Sequence, residues 1–161
     1  MERVYERIYS GDSSDCFSGA GSWAVIHACR HPCFRRAIRR HGMSEQPPAY
    51  LEDGPNLYLD IFDGPARYFS IAPFEAFLSF ASRHWQKDCG ILIHCNQGIS
   101  RAPSLAMLLL AKHAKVLPSA TFDEAMTAFS KRIPDCSPGE GIRSFLREHW
   151  TQLLDSPVDA C

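Results

Sequence analysis

Gly90-Ile91-Leu92-Ile93-His94-Cys95-Asn96-Gln97-Gly98-Ile99-Ser100-Arg101-Ala102-Pro103 is the stretch on which the fold turns. Ile91-Leu92-Ile93 is apolar at every position and short, so 90–94 reads as a strand buried on both faces. Residues 95–101 form a polar loop around Gly98. From Ala102 to about Lys115 the chain reads as a helix, with Pro103 tolerated in its first turn, where a missing N–H costs little. A buried strand feeding a helix through a short loop belongs to an α/β domain with a mostly parallel central sheet flanked by helices.

The flanking sequence fits that class. Trp23–Ala28 and Leu57–Phe62 read as two further strands, the second stopped by Asp63-Gly64-Pro65. Between them, Phe34–Arg40 predicts a basic helix with Phe34, Ala37 and Ile38 inward, and 43–56, with three prolines and a glycine, predicts a long loop. Residues 8–22, rich in Ser, Gly and Asp, predict loop or turn. Phe74, Phe77, Leu78, Ala81 and Trp85 fall on one face of a helix from about Ala72 to Lys87. Thr121-Phe122-Asp123-Glu124 and Ser137-Pro138-Gly139-Glu140 both carry the capping-box pattern and predict two last helices. The inward residues are Phe122, Ala125, Met126 and Phe129 in one, and Ile142, Phe145, Leu146 and Leu153 in the other. One domain over 1–154 is expected, with a frayed tail at 155–161.

The totals narrow the function. The 161 residues are one domain's worth, long enough to bury roughly 68–70% of the unfolded chain's surface. Seventeen basic against eighteen acidic residues leave a net charge of −1, which gives no support to general nucleic-acid or membrane-surface binding. Seven cysteines cannot all pair with one another, no CxxC is present, and the start Met1-Glu2-Arg3-Val4-Tyr5-Glu6-Arg7 lacks an apolar signal core. The longest apolar stretch, around Leu105 to Ala111, is too short to span a bilayer. A cytoplasmic or otherwise reducing intracellular protein with free thiols is expected.

Ligands in parallel sheets bind beyond the carboxyl ends of the strands, which here means Asp63 and the run 94–101. A cysteine at a strand end, a glycine-containing loop, an arginine and a helix start make a site for a tetrahedral oxyanion. Inward loop amides and the helix end supply donors and positive potential, and Arg101 offers a planar fork for two oxygens. The same field favours the thiolate of Cys95, a nucleophile lying below a bound phosphate.

This strand–HCxxGxSR–helix unit resembles the signature of the cysteine-dependent protein tyrosine phosphatase superfamily, its dual-specificity branch most. The resemblance covers most of 5–150. It extends to Val25-Ile26-His27, to Phe74-Glu75-Ala76-Phe77, and to Arg132-Ile133-Pro134 with Pro138-Gly139. It implies Cys95 as nucleophile and Arg101 as phosphate ligand, with the amides of Asn96, Gln97, Gly98, Ile99, Ser100 and Arg101 around the equatorial oxygens. It implies His94 as a brace for the loop rather than a substrate contact. The family uses an aspartic acid about thirty residues before its cysteine; Asp63 lies 32 before Cys95 and begins the Gly-Pro turn, with Asp60, 35 before it, as the alternative. One departure stands out: many relatives carry Ser or Thr after the arginine, where this chain has Ala102.

The activity so implied is hydrolysis of phosphotyrosine, with phosphoserine or phosphothreonine as further substrates, through a cysteinyl-phosphate and without cofactor or metal. The partner expected is a phosphoprotein or phosphopeptide met by a monomer, with no nucleic acid and no membrane. Uncharged Asn96, Gln97, Ile99 and Ser100 disfavour an inositol phospholipid. The alternatives are a phosphoprotein-binding module of the same fold and a phosphatase of RNA 5′-phosphate or lipid phosphate. The arginines between 30 and 40 read as a solvated helix face. Cys29-Arg30-His31-Pro32-Cys33 lacks the four ligands and spacing of a structural zinc site. Cys89 and Cys136 read as buried inert thiols.

Overall fold

The computed structural model describes residues 1–157. Among these residues six strands form one sheet: β1 (Glu2–Tyr5), β2 (Ile8–Gly11), β3 (Trp23–His27), β4 (Tyr50–Asp53), β5 (Asn56–Leu59) and β6 (Gly90–His94), in the order β1-β2-β6-β3-β5-β4. The four inner strands run parallel, and the edge strands β1 and β4 are antiparallel to their neighbours. The helices are α1 (Arg35–Arg40), α2 (Ala72–Gln86), α3 (Arg101–Leu109), α4 (Phe122–Ser130) and α5 (Glu140–Asp155).

Side-chain alternation along the strands sorts the core into two parts. Ile26, Leu57, Leu59, Ile91 and Ile93 join Phe74, Phe77, Leu105, Phe122, Phe129, Phe145 and Leu146 in the main core with α2 to α5. Tyr58 faces the other way and packs with Phe34, Ala37 and Ile38 under α1. A fully buried phenylalanine contributes roughly 1.5–3 kcal/mol by area, so the ring cluster of the larger core dominates.

The three expected strands are present, β6 with the expected bounds. Three more were not expected. Ile8-Tyr9-Ser10-Gly11 lies inside the segment read as loop, yet pairs with β6 from Ile8↔Ile91 to Gly11↔His94. Its composition is that of a turn; the main-chain ladder holds it extended. Its partner β1 completes an N-terminal hairpin. The stretch 43–56 is not one loop either: β4 and β5 form a hairpin through Gly54, whose φ of +59° suits glycine. The strand expected to reach Phe62 ends at Leu59, so Asp60 lies just past it.

Thr121 caps α4, its hydroxyl accepting from the Glu124 N–H at 3.2 Å. The second capping reading fails. Gly139, not Ser137, is the N-cap of α5, and the Ser137 N–H donates instead to the Ile99 carbonyl at 2.7 Å. Helix α5 continues past Leu154 to Asp155, where Lys112 Nζ donates to the carbonyls of Leu153, Leu154 and Ser156. The rest of the expected frayed tail, 158–161, lies outside the described residues. No helix among the described residues is long and apolar enough to cross a membrane.

Candidate active site

The parallel strands β2, β6, β3 and β5 bring their carboxyl ends to one edge of the sheet. The loop of residues 95–100 is pinned there by main-chain bonds: the Cys95 N–H donates to Gly11 O, the Ala28 N–H to His94 O, and the Ser13 N–H to Asn96 O. Cys95 is 1% exposed, at the floor of the loop. The Gly98 N–H points at its sulfur at 3.3 Å, and Gly98 has φ +75°. A side chain at Gly98 would be strained by that φ and would press on Asp12, so the loop closes through a glycine.

Arg101 opens α3 and is 6% exposed. Nη1 donates to the Ile61 carbonyl at 3.1 Å and Nη2 to Asn96 Oδ1 at 3.0 Å. Nε is buried without a hydrogen-bond partner among the described residues. Asn96 is itself held, its Nδ2 donating to His31 O at 2.9 Å. The guanidinium is thus fixed in a plane with its Nε unspent. Ile99 and Gln97 are exposed at the loop's rim, whereas Ser100 is buried and turned away. The Ser100 hydroxyl accepts from the Gly139 N–H at 3.0 Å, and its carbonyl accepts from the Ser104 hydroxyl at 2.7 Å. Ser100 therefore offers the loop its backbone, while its side chain ties α3 to α5. Ala102 is fully buried.

The two aspartates are separated by environment. Asp60 is partly buried in a two-pronged ion pair with Arg30, whose guanidinium also lies over the Phe62 ring. Asp63 is exposed, with its carboxylate 3.7 Å from Arg101 Nη2. Of the two, Asp63 alone faces the arginine of the loop. Sequence reasoning missed what holds it there. Gly141 at the start of α5 comes so close to Gly64 that an added Cβ would sit 1.7 Å from Gly64 O, and one at Gly139 would sit 3.1 Å from Asp63 Oδ1. The Gly-Glu-Gly run 139–141 was the available signal. A cavity of about 540 Å³ lies beside Asp63, lined also by Pro65, Glu140 and Ser144.

His94 points away from the loop mouth, toward β3. Its Nε2 is 2.8 Å from Nδ1 of His27, its register partner. Burial, with His94 next, pushes His27 down to about 4, and burial lowers His94 too, so both rings are neutral at neutral pH. On α1, Arg36, Arg39 and Arg40 are exposed, the solvated face that was expected, with Arg40 also paired to Asp53 at the surface; Arg30, ahead of the helix, pairs instead with Asp60. Cys136 is buried and pushed up to about 12, an inert thiol, while Cys89 is only half-buried.

No protein-family model matches the chain. Over 69 residues it is 30% identical to the MAP kinase phosphatase with leucine-rich repeats protein 3 of Dictyostelium discoideum, a match covering 43% of this chain and 8% of that protein. The human tyrosine phosphatase-like serine/threonine/tyrosine-interacting protein superposes with a TM-score of 0.67 at 19% identity, over 96% of this chain and 97% of the other. A mouse putative dual specificity phosphatase does so with a TM-score of 0.64 at 18% identity, over 94% and 86%. Its solved neighbours being phosphatases and a phosphatase-like protein, the chain has the dual-specificity phosphatase fold.

Proposed function

We propose that the chain is a phosphoprotein phosphatase that works through a cysteinyl-phosphate. The carrying observation is the meeting at one sheet edge of Cys95, Arg101 and Asp63, with the carboxylate 3.7 Å from the guanidinium. A phosphate entering the loop replaces Asn96 Oδ1 as acceptor of Arg101 Nη2 and takes up the unspent Nε, giving the two-pronged contact an oxyanion prefers. The amides of residues 96–101 and the N-terminal end of α3 hold the remaining oxygens. Cys95 Sγ attacks phosphorus in line, the P–O bond to the leaving group breaks, and protonated Asp63 gives that oxygen its proton. Asp63, now ionised, takes a proton from water as the water attacks phosphorus. The P–S bond breaks and the thiolate returns. The loop supplies the positive charge that both steps need.

The uncharged loop side chains favour a phosphoprotein over a multiply phosphorylated headgroup, and an aryl leaving group favours phosphotyrosine. One observation favours a second reading, a phosphoprotein-binding module: Ala102 leaves no hydroxyl after the arginine to steady the departing thiolate.

The test is phosphate release from matched phosphotyrosine and phosphothreonine peptides. Turnover abolished by Cys95→Ser and slowed roughly 10²-fold or more by Asp63→Asn is the expected result. Peptide binding through Arg101 without turnover selects the binding module, and neither binding nor turnover on peptides sends the search to RNA 5′-phosphate or lipid phosphate.

A further inference from the structure

Four soft ligands converge on the face of the sheet under α1, behind the loop. His27 and His94 are register partners on β3 and β6. Cys33 comes from the turn leading into α1 and Cys16 from the segment after β2. Their four ligand atoms all lie within 4.8 Å of one another.

We propose that Cys16, His27, Cys33 and His94 bind one Zn²⁺ in a tetrahedral site behind the strand that carries Cys95. Zinc bonds of about 2.3 Å to sulfur and about 2.05 Å to nitrogen set S–S edges of roughly 3.8 Å and S–N edges of roughly 3.6 Å. Cys16 Sγ lies 3.7 Å from Cys33 Sγ and 3.7 Å from His27 Nδ1, already at those spacings. The two imidazole nitrogens, 2.8 Å apart, must open by about half an ångström to reach a tetrahedral edge, and the widest separation in the set, 4.8 Å, must close by about 1 Å.

The neighbours of His27 set its tautomer. Asn56 Oδ1 accepts from the Gly19 N–H at 2.7 Å, which fixes the amide orientation, and the same oxygen lies 3.4 Å from His27 Nε2. Nε2 therefore carries the proton and the Nδ1 lone pair accepts from His94 Nε2–H; on metal binding that proton passes to His94 Nδ1, which has no hydrogen-bond partner among the described residues, and both lone pairs turn to the ion. An imidazole whose far nitrogen is held by an oxygen acceptor is the usual arrangement of a metal ligand. A cavity of about 230 Å³, lined by Cys16, His27, Cys33, Arg36, Arg40 and Tyr58, provides the way in. The guanidiniums at its mouth do not oppose the ion, because binding sends the two thiol protons to solvent and two thiolates neutralise Zn²⁺. Two thiolates and two imidazoles in a tetrahedron suit zinc over harder, octahedral ions.

The sequence hid this set. Only Cys33 belongs to the Cys29–Cys33 run, and its partners lie 17, 6 and 61 residues away.

Cobalt substitution tests the proposal independently of catalysis. Untagged protein held reduced with a phosphine should take up one equivalent of Co²⁺, with tetrahedral d–d bands and a thiolate-to-cobalt charge-transfer band, and Zn²⁺ should displace it. Two protons should appear per metal bound. Cys16→Ser, on an exposed residue, and Cys33→Ser should each bind at least about tenfold more weakly and lose charge-transfer intensity. Cys89→Ser, outside the cluster, should match wild type. Absence of the charge-transfer band, or a band of wild-type intensity and affinity in folded Cys16→Ser, overturns the proposal whatever the phosphatase assay returns.

Discussion

At the scale of the residue, two positions around Arg101 decide how the loop handles phosphate. Asn96 shares its side-chain oxygen with the guanidinium, so Asn96→Asp would leave a carboxylate there that phosphate must displace. The expected outcome is a KM raised about tenfold, equivalent to about 1.4 kcal/mol, with kcat changed less, read from steady-state kinetics at constant ionic strength. Ala102 belongs to the second step. If its lack of a hydroxyl slows thiolate departure, wild type shows a burst of aryl alcohol followed by slow turnover, and Ala102→Ser shrinks the burst and speeds the steady state. A buried serine without a good partner costs roughly 1–3 kcal/mol, so stability is measured beside the stopped-flow traces. A linear wild-type trace with Ala102→Ser unchanged would rule out a slow second step.

At the scale of the element, the acid loop depends on the first turn of α5. A methyl at Gly141 would sit 1.7 Å from Gly64 O, so Gly141→Ala must push the 63–66 loop off the helix. The expected result is a kcat at least about tenfold lower, with alkylation of Cys95 by iodoacetate unchanged. Equal loss of both would place the defect in the loop of residues 95–101 instead. Which elements were legible follows from where their signal resides. Ile91-Leu92-Ile93 and Ala24-Val25-Ile26 announce strands through side chains buried on both faces. Ile8-Tyr9-Ser10-Gly11 and Tyr50-Leu51-Glu52-Asp53 carry no such pattern, because pairing with β6 and β5 keeps them extended. Likewise Cys95 and Arg101 sit in one contiguous run and Asp63 at a telling separation. The grip of Gly141 on Gly64, the tie from Asn96 to His31, and the union of Cys16, His27, Cys33 and His94 exist only after folding.

At the scale of the whole molecule, buried histidines set the acid limit. His27 is held at about 4 and His94, His84 and His113 are lowered, burial being the largest cause for each. Between their ordinary value near 6.5 and these lowered values the unfolded chain binds more protons than the folded one. In metal-free protein stability should be full above pH 6.5 and fall as pH drops toward 4, His27 alone accounting for about 3 kcal/mol. Urea titrations from pH 7.5 to 4.5 check the sign; a midpoint that rises on acidification would contradict it. The two edges of the sheet carry a separate consequence. Each is a four-residue strand reversed against its neighbour, and Glu2, Arg3, Glu52 and Asp53 put charge on both. Strands this short turn few main-chain groups outward, and desolvating those charges opposes a stacked copy. Fibrillar growth by lateral strand addition therefore finds a poor template on the edges of the described sheet and is favoured by unfolding that uncovers β6 and β3.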